Sequence, residues 1–235
     1  SISNYRNAVK NLPQKEITKL KSEAQKYNEL LSSGKISDKG SSFKKQIDSN
    51  YLKFLNAGSV IGYLEIPKIN VYLPIFFGNE KDTLQKGIGH LSNTSLPIGG
   101  PGTHAVLTGH RGLPSATLLT NLDQLSKGDM FYIHILNEIL AYKVDQILVV
   151  DPENTTDLTI QPGKDYITLV TCTPYGINTQ RLLVRGARVP YTPSAAMKSQ
   201  TITNEATIVP AAALLLVILL PIFLIRIGKK EKKVR

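Results

Sequence analysis

The spacing of apolar positions changes once along this chain, near Ala57. Before it, Leu20, Ala24, Tyr27 and Leu31 recur at three- and four-residue steps, the spacing of one buried helical face, and they predict a helix from Asn4 to about Leu31. SSGKISDKGSS (Ser32 to Ser42) reads as a loop, and Phe43 to Leu55 as a second, shorter helical stretch. After Ala57 come short runs of β-branched and aromatic residues broken by proline, glycine and asparagine. VIGYLEI, NVYLPIF, THAVLTG, MFYIHIL, LAYKVDQILVV, YITLVTC and RLLVRGARV are the predicted strands. Seven or eight strands at this spacing imply a mainly β protein, a closed or nearly closed barrel with its helices confined to the start and the connections. The predicted boundaries are a helical extension over 1–56, a barrel over 57–190 and a tether rich in Ser, Thr, Ala and Pro over 191–207.

The next twenty residues, 208–227 (IVPAAALLLVILLPIFLIRI), have no polar face. Their length matches the ~20 residues needed to cross ~30 Å of hydrocarbon, so they read as a C-terminal transmembrane helix. GKKEKKVR (228–235) follows at once, and such lysine and arginine clusters stay on the cytoplasmic side. The barrel is therefore expected outside a cell membrane, on a single-pass anchor. The chain opens at Ser1 without a methionine, as expected if a signal peptide or membrane segment precedes it.

Charge adds little beyond this. The formal net charge is +10, but six basic residues against one acid from Ile208 onward supply half of it. The remainder is only mildly basic, and nucleic-acid binding is not expected.

Chemistry enters with the single cysteine, Cys172, at the end of the run YITLVTC. Outside the membrane a lone thiol is a free reactive group or an intermolecular partner. A thiol attacks a carbonyl only as thiolate, which calls for a neighbouring base or cation. Of the four histidines, His134 alternates within MFYIHIL as a strand residue, His90 opens a loop where nothing singles it out, and His104 lies inside a strand. His110 differs: it follows Gly109 where its strand should end, placed to project into a cleft. Arg181 opens the strand after Cys172, with eight residues between them, enough for a hairpin that returns the chain beside the thiol. A guanidinium there could stabilise the oxyanion of an acyl-transfer intermediate. The scattered histidines show no zinc spacing and no Asp-rich loop resembles a calcium cage, so neither metal nor cofactor is expected.

These motifs resemble those of sortases, the membrane-anchored cysteine transpeptidases of Gram-positive bacteria. TLVTC matches their T-L-x-T-C signature, TGHRG the segment with their histidine, and Arg181 in NTQRLLVRG the position of their arginine. With LEIPKINVYLPI, the resemblance runs from about Val60 to Arg188. GHLSNTSLPIGG, TGHRGLPSA and TCTPYGINTQRLLVRGAR are most similar to class C sortases, which polymerise pilins, as are an N-terminal helical extension and a C-terminal span. One feature departs: residues 32–49 hold no Asp-Pro-aromatic triplet of the kind class C lids carry, which implies a lid that is absent, rudimentary or differently anchored.

The resemblance implies cleavage of an L-P-x-T-G-like sorting signal between threonine and glycine. Cys172 would be the nucleophile, His110 the general acid and base, and Arg181 the oxyanion stabiliser. The acceptor would be a lysine amine of a pilin subunit in a class C enzyme, or a cell-wall peptide amine in a housekeeping one. Two other readings stand beside these: a thiol peptidase that hydrolyses its acyl-enzyme, and a non-catalytic anchored module with a structural cysteine.

Overall fold

The computed structural model describes residues 2–35, 60–112 and 117–193. Residues up to Tyr191 form one compact unit. The second predicted helical stretch, the tether from residue 194 onward and the predicted span at 208–227 lie outside the described residues. Among the described residues no helix is long and apolar enough to cross a membrane.

The single predicted N-terminal helix is two: α1 (Ile2–Lys10) and α2 (Gln14–Ser32). Pro13 separates them, since its ring cannot follow a preceding helical turn without a clash and its nitrogen cannot donate. Of the predicted face, Leu20, Ala24 and Tyr27 are buried and Leu31 partly so, and Ile17 and Asn28 are buried with them. Asn28 docks α2 as a strand edge would, its amide nitrogen donating to the Leu96 carbonyl (3.1 Å) and its amide oxygen accepting from the Leu96 N–H (2.7 Å). On α1, Tyr5 packs edge-on against Tyr63 (6.4 Å between rings), and its hydroxyl oxygen accepts the Leu136 N–H at 2.6 Å.

All seven predicted strands are present: β1 (Val60–Ile66), β2 (Val71–Phe77), β4 (Thr103–Thr108), β5 (Met130–Ile135), β6 (Glu138–Val150), β7 (Asp165–Thr173) and β8 (Gln180–Val189). The eighth, β3 (Ile88–His90), is three residues long, too short for an alternating pattern to announce it. A four-residue helix, α3 (Lys81–Leu84), leads into it. The strands close in the order β1-β2-β3-β4-β7-β8-β6-β5, which leaves no free sheet edge. The β2/β3 and β4/β7 pairs are parallel and the others antiparallel.

The barrel is filled by branched side chains, among them Leu64, Ile75, Ile88, Leu107, Ile133, Leu169 and Val184, all fully buried. β6 is long enough to pair with β5 at one end and with β8 along most of its length, and a register shift between Val144 and Gln146 lets it bend from one to the other. β4, β7 and β8 are thus fixed side by side, and their ends carry the candidate site.

Candidate active site

Cys172 and Arg181 are direct partners across the antiparallel β7/β8 ladder, so their side chains share one face. At such pairs the Cβ atoms lie about 4.5–5.5 Å apart. On the other side of β7, β4 runs parallel, with Thr108 paired to Val170; His110 lies two residues past that pair, beyond the end of β4, as Cys172 lies two residues past it on β7. Of the three sequence-predicted residues, Cys172 and Arg181 are paired across β7/β8, and His110 lies just past the end of β4, the strand on the other flank of β7. All three are half-buried, and the thiol is free.

The threonines of TLVTC hold this arrangement in place. Thr171, buried next to the cysteine, donates its hydroxyl to the Gly109 carbonyl (2.8 Å), and the Gly109 N–H donates to the Val170 carbonyl (3.1 Å). Gly109 itself must be small, because a Cβ there would stand 2.7 Å from Ile88 Cδ1. Thr168 serves a different histidine: its hydroxyl meets His104 Nε2 at 2.7 Å, while His104 Nδ1 lies 3.0 Å from the Thr159 carbonyl. A carbonyl only accepts, so Nδ1 carries the proton and Nε2 accepts from Thr168. Burial holds the His104 pKa below its ordinary value, in keeping with a neutral structural ring.

The other two histidines also have structural surroundings. His134 contacts Glu65 through Nε2 (2.7 Å) and stacks on Tyr63 (4.2 Å between rings), away from the thiol. His90, which the sequence left open, is buried, with Nε2 2.8 Å from the Ser95 carbonyl in its own loop.

Arg181 spends one end of its guanidinium on its own loop, Nη1 donating to the carbonyls of Asn178 (3.2 Å) and Gln180 (3.0 Å). Those two bonds aim the fork. The N–H groups on Nε and Nη2 have no protein acceptor among the described residues, so three donors remain for a substrate oxygen beside the thiol. The loop between Cys172 and Arg181 leaves β7 through a cis Thr173–Pro174 peptide and exposes Tyr175 and Ile177 to solvent. Tyr175 covers Gly112 of the His110 loop, where φ is +75° and a Cβ would lie 2.9 Å from the ring, so both features favour glycine.

Sequence reasoning passed over Arg111, the neighbour of His110. Its side chain is 8% exposed and makes three separate contacts: Nε to the Thr120 carbonyl (3.1 Å), Nη1 to the Thr173 hydroxyl (3.0 Å) and Nη2 to the Asp123 carboxylate. A charged residue directly after the candidate base, ahead of the apolar LLTNLDQL, was the available signal. Among the described residues no cluster of three or more His, Cys, Asp or Glu side chains is arranged to hold a metal ion. A cavity of about 500 Å³ between α1 and the β5–β6 turn, lined by Tyr5, Arg6, Tyr63 and His134, contains none of the three candidate residues.

This closed barrel, with Cys172 and Arg181 paired across two of its strands, is that of the cysteine transpeptidases that the sequence motifs resembled: residues 64–189 match the Sortase domain, and the chain belongs to the sortase family. Among solved structures it is similar to sortase C of Clostridium perfringens, determined with its C-terminal cell wall sorting motif (45% identity, TM-score 0.73, covering 81% of this chain and 98% of that one). It is also similar to sortase C of Streptococcus pneumoniae, whose structure was described in terms of catalysis and pilin substrate specificity (46% identity, TM-score 0.72, covering 81% and 97%). The expected resemblance to class C enzymes is thereby borne out. Sortase D of Bacillus subtilis (strain 168) is 34% identical over 135 residues, 56% of this chain and 65% of that protein, so the chain spans less than two thirds of that relative.

Proposed function

We propose that this chain is a pilin-polymerising transpeptidase that cuts an L-P-x-T-G-like sorting signal between threonine and glycine and joins the threonine to a lysine amine of another pilin subunit. The reading is supported by one observation, the β7/β8 register that pairs Cys172 with Arg181 next to β4, whose end leads to His110, in a chain 45% identical to a sortase C solved with a sorting motif.

Cys172, as thiolate, attacks the threonine carbonyl carbon; a C–S bond forms and the carbonyl π pair moves onto oxygen. Arg181 donates to that oxyanion. Collapse breaks the Thr–Gly C–N bond, and the His110 imidazolium gives its proton to the departing glycine nitrogen. The threonine is left as a thioester on Cys172. A neutral lysine amine then attacks the thioester, loses a proton to His110, and expels the thiolate, which restores the starting pair. A groove that admits the amine ahead of water makes the enzyme a ligase rather than a hydrolase.

The domain plan proposed with it is an extension over 1–56, the barrel over 57–190, a tether over 191–207, a transmembrane helix over 208–227 and a cytoplasmic basic tail over 228–235. This anchor would hold the groove at the outer membrane face, where secreted pilins emerge. The test mixes the full chain with a purified pilin bearing an L-P-x-T-G-like signal and looks for covalent ladders on a denaturing gel. Ladders absent with Cys172→Ala support polymerisation. Transfer only to a small cell-wall-like amine would move the chain to the housekeeping type, water-only cleavage to the peptidases, and an unreactive thiol without turnover to the binding modules.

A further inference from the structure

We propose that Arg111 is a positioning residue for the reaction, the tie that holds His110 at the level of Cys172 beyond the end of β4. The inference rests on the roles proposed above for Cys172 and His110. The β4/β7 hydrogen bonds on the near side of His110 end at Gly109, which bonds to Val170 and Thr171. His110 lies one residue beyond them, outside the strand. The next link from this segment to β7 is the Arg111 guanidinium, which donates through Nη1 to the hydroxyl of Thr173. Gly109 to Thr171 on one side and Arg111 to Thr173 on the other bracket the His110/Cys172 pair.

The same guanidinium secures the far wall of the loop. Nε donates to the Thr120 carbonyl and Nη2 to the Asp123 carboxylate, while the Gly112 N–H donates to the Thr120 hydroxyl (3.2 Å) and the Leu119 N–H to the His110 carbonyl (3.1 Å). Three segments, 109–112, 119–123 and the end of β7, thus meet at one planar group. Only arginine offers separate N–H vectors in a rigid fork to a carbonyl, a hydroxyl and a carboxylate at once. At 8% exposure the side chain is committed to these partners, so Arg111 acts through His110 and not on substrate. The Asp123 limb is 49% exposed and screened by water; the Thr173 limb, one residue from the nucleophile, sets the geometry.

The test uses the full chain with four variants, Arg111→Ala, Thr173→Val, Thr173→Ser and Asp123→Asn, beside His110→Ala. The two readouts are turnover of a quenched fluorescent peptide containing Leu-Pro-Ala-Thr-Gly with a lysine-bearing acceptor, and the pH profile of Cys172 alkylation by iodoacetamide. Displacing a catalytic group by about 1 Å costs on the order of a hundredfold, so Arg111→Ala should lower kcat by about 30- to 100-fold with KM within about twofold. Thr173→Val, nearly isosteric, should lower kcat about tenfold, Thr173→Ser should recover most of that loss, and Asp123→Asn should cost less than about threefold. The alkylation profile of Arg111→Ala should approach that of His110→Ala, a change that loss of stability alone would not produce.

Profiles and kcat for Arg111→Ala and Thr173→Val that overlie the wild type would overturn the inference. Should Arg111→Ala fail to fold, the Thr173 pair decides. If His110→Ala itself leaves both turnover and alkylation unchanged, the reading of the site fails first, and that outcome is distinct from failure of the tie.

Discussion

Replacing Arg181 with lysine separates charge from geometry at the proposed oxyanion site. The guanidinium is aimed by two bonds from Nη1 to the Asn178 and Gln180 carbonyls, which leaves the donors on Nε and Nη2 for a carbonyl beside Cys172. Lysine keeps the positive charge but brings one compact ammonium on a flexible stem, so it can satisfy the loop carbonyls or the substrate oxygen, not both at once. Losing one aligned oxyanion donor costs about 2.7–4 kcal/mol, or on the order of 10²–10³ in kcat. Arg181→Lys is therefore expected to lose about a hundredfold in kcat, and Arg181→Gln, which also removes the charge, up to about a thousandfold. Peptide cleavage with saturating amine acceptor measures this, with Cys172 alkylation as a control. The cation beside the thiol survives in the lysine variant, so its alkylation rate should stay within about twofold of wild type. Retention of a third or more of kcat by Arg181→Lys would refute the argument, since the fork would then contribute nothing that a point charge does not.

Further expectations follow from the barrel and its helices. Asn28→Ala leaves both the N–H and the carbonyl of Leu96 without their buried partner, at about 1–3 kcal/mol each, which should lower Tm by roughly 4–24 °C in a scanning calorimeter. A fall under two degrees would mean that water replaces the amide. His104 is buried with a lowered pKa, so its neutral form stabilises the fold fully above the unfolded value of 6.5, and that stability is lost as the pH falls below it. Between pH 7.5 and 5.5 the wild type should lose more stability than His104→Gln, read from urea midpoints; equal losses would count against the neutral ring. Gly112→Ala combines a positive φ with a clash against Tyr175 and should slow turnover by displacing the His110 loop; unchanged kcat would show that the loop absorbs the methyl group.

How much of this was legible in the sequence varies with how local each signal is. The strands were readable because their alternation repeats over six or more residues, whereas β3, three residues around a glycine, exists only because β2 and β4 flank it. The break between α1 and α2 was readable at Pro13, but the apolar spacing from Leu20 to Leu31 was extended across it to Asn4. Cys172, His110 and Arg181 were found because each sits at or just past a strand end next to a recognisable motif, and the β7/β8 register pairs the first with the last. Thr171 was visible only as a letter of that motif; its bond to Gly109 needs a parallel neighbour 62 residues away in sequence. Arg111 was hidden for the same reason, since Thr173 and Asp123 are brought to it by folding, and neither spacing nor composition announces that meeting.

The central claim is a thioester on Cys172, and intact-mass measurement tests it most directly. The full chain is mixed with a Leu-Pro-Ala-Thr-Gly peptide in the absence of amine, quenched in acid and weighed. The account predicts an added mass equal to the peptide up to its threonine, borne by Cys172, removed by hydroxylamine and absent from Cys172→Ala. An unmodified wild-type protein after peptide cleavage, or an adduct that persists in the Cys172→Ala variant, would contradict it.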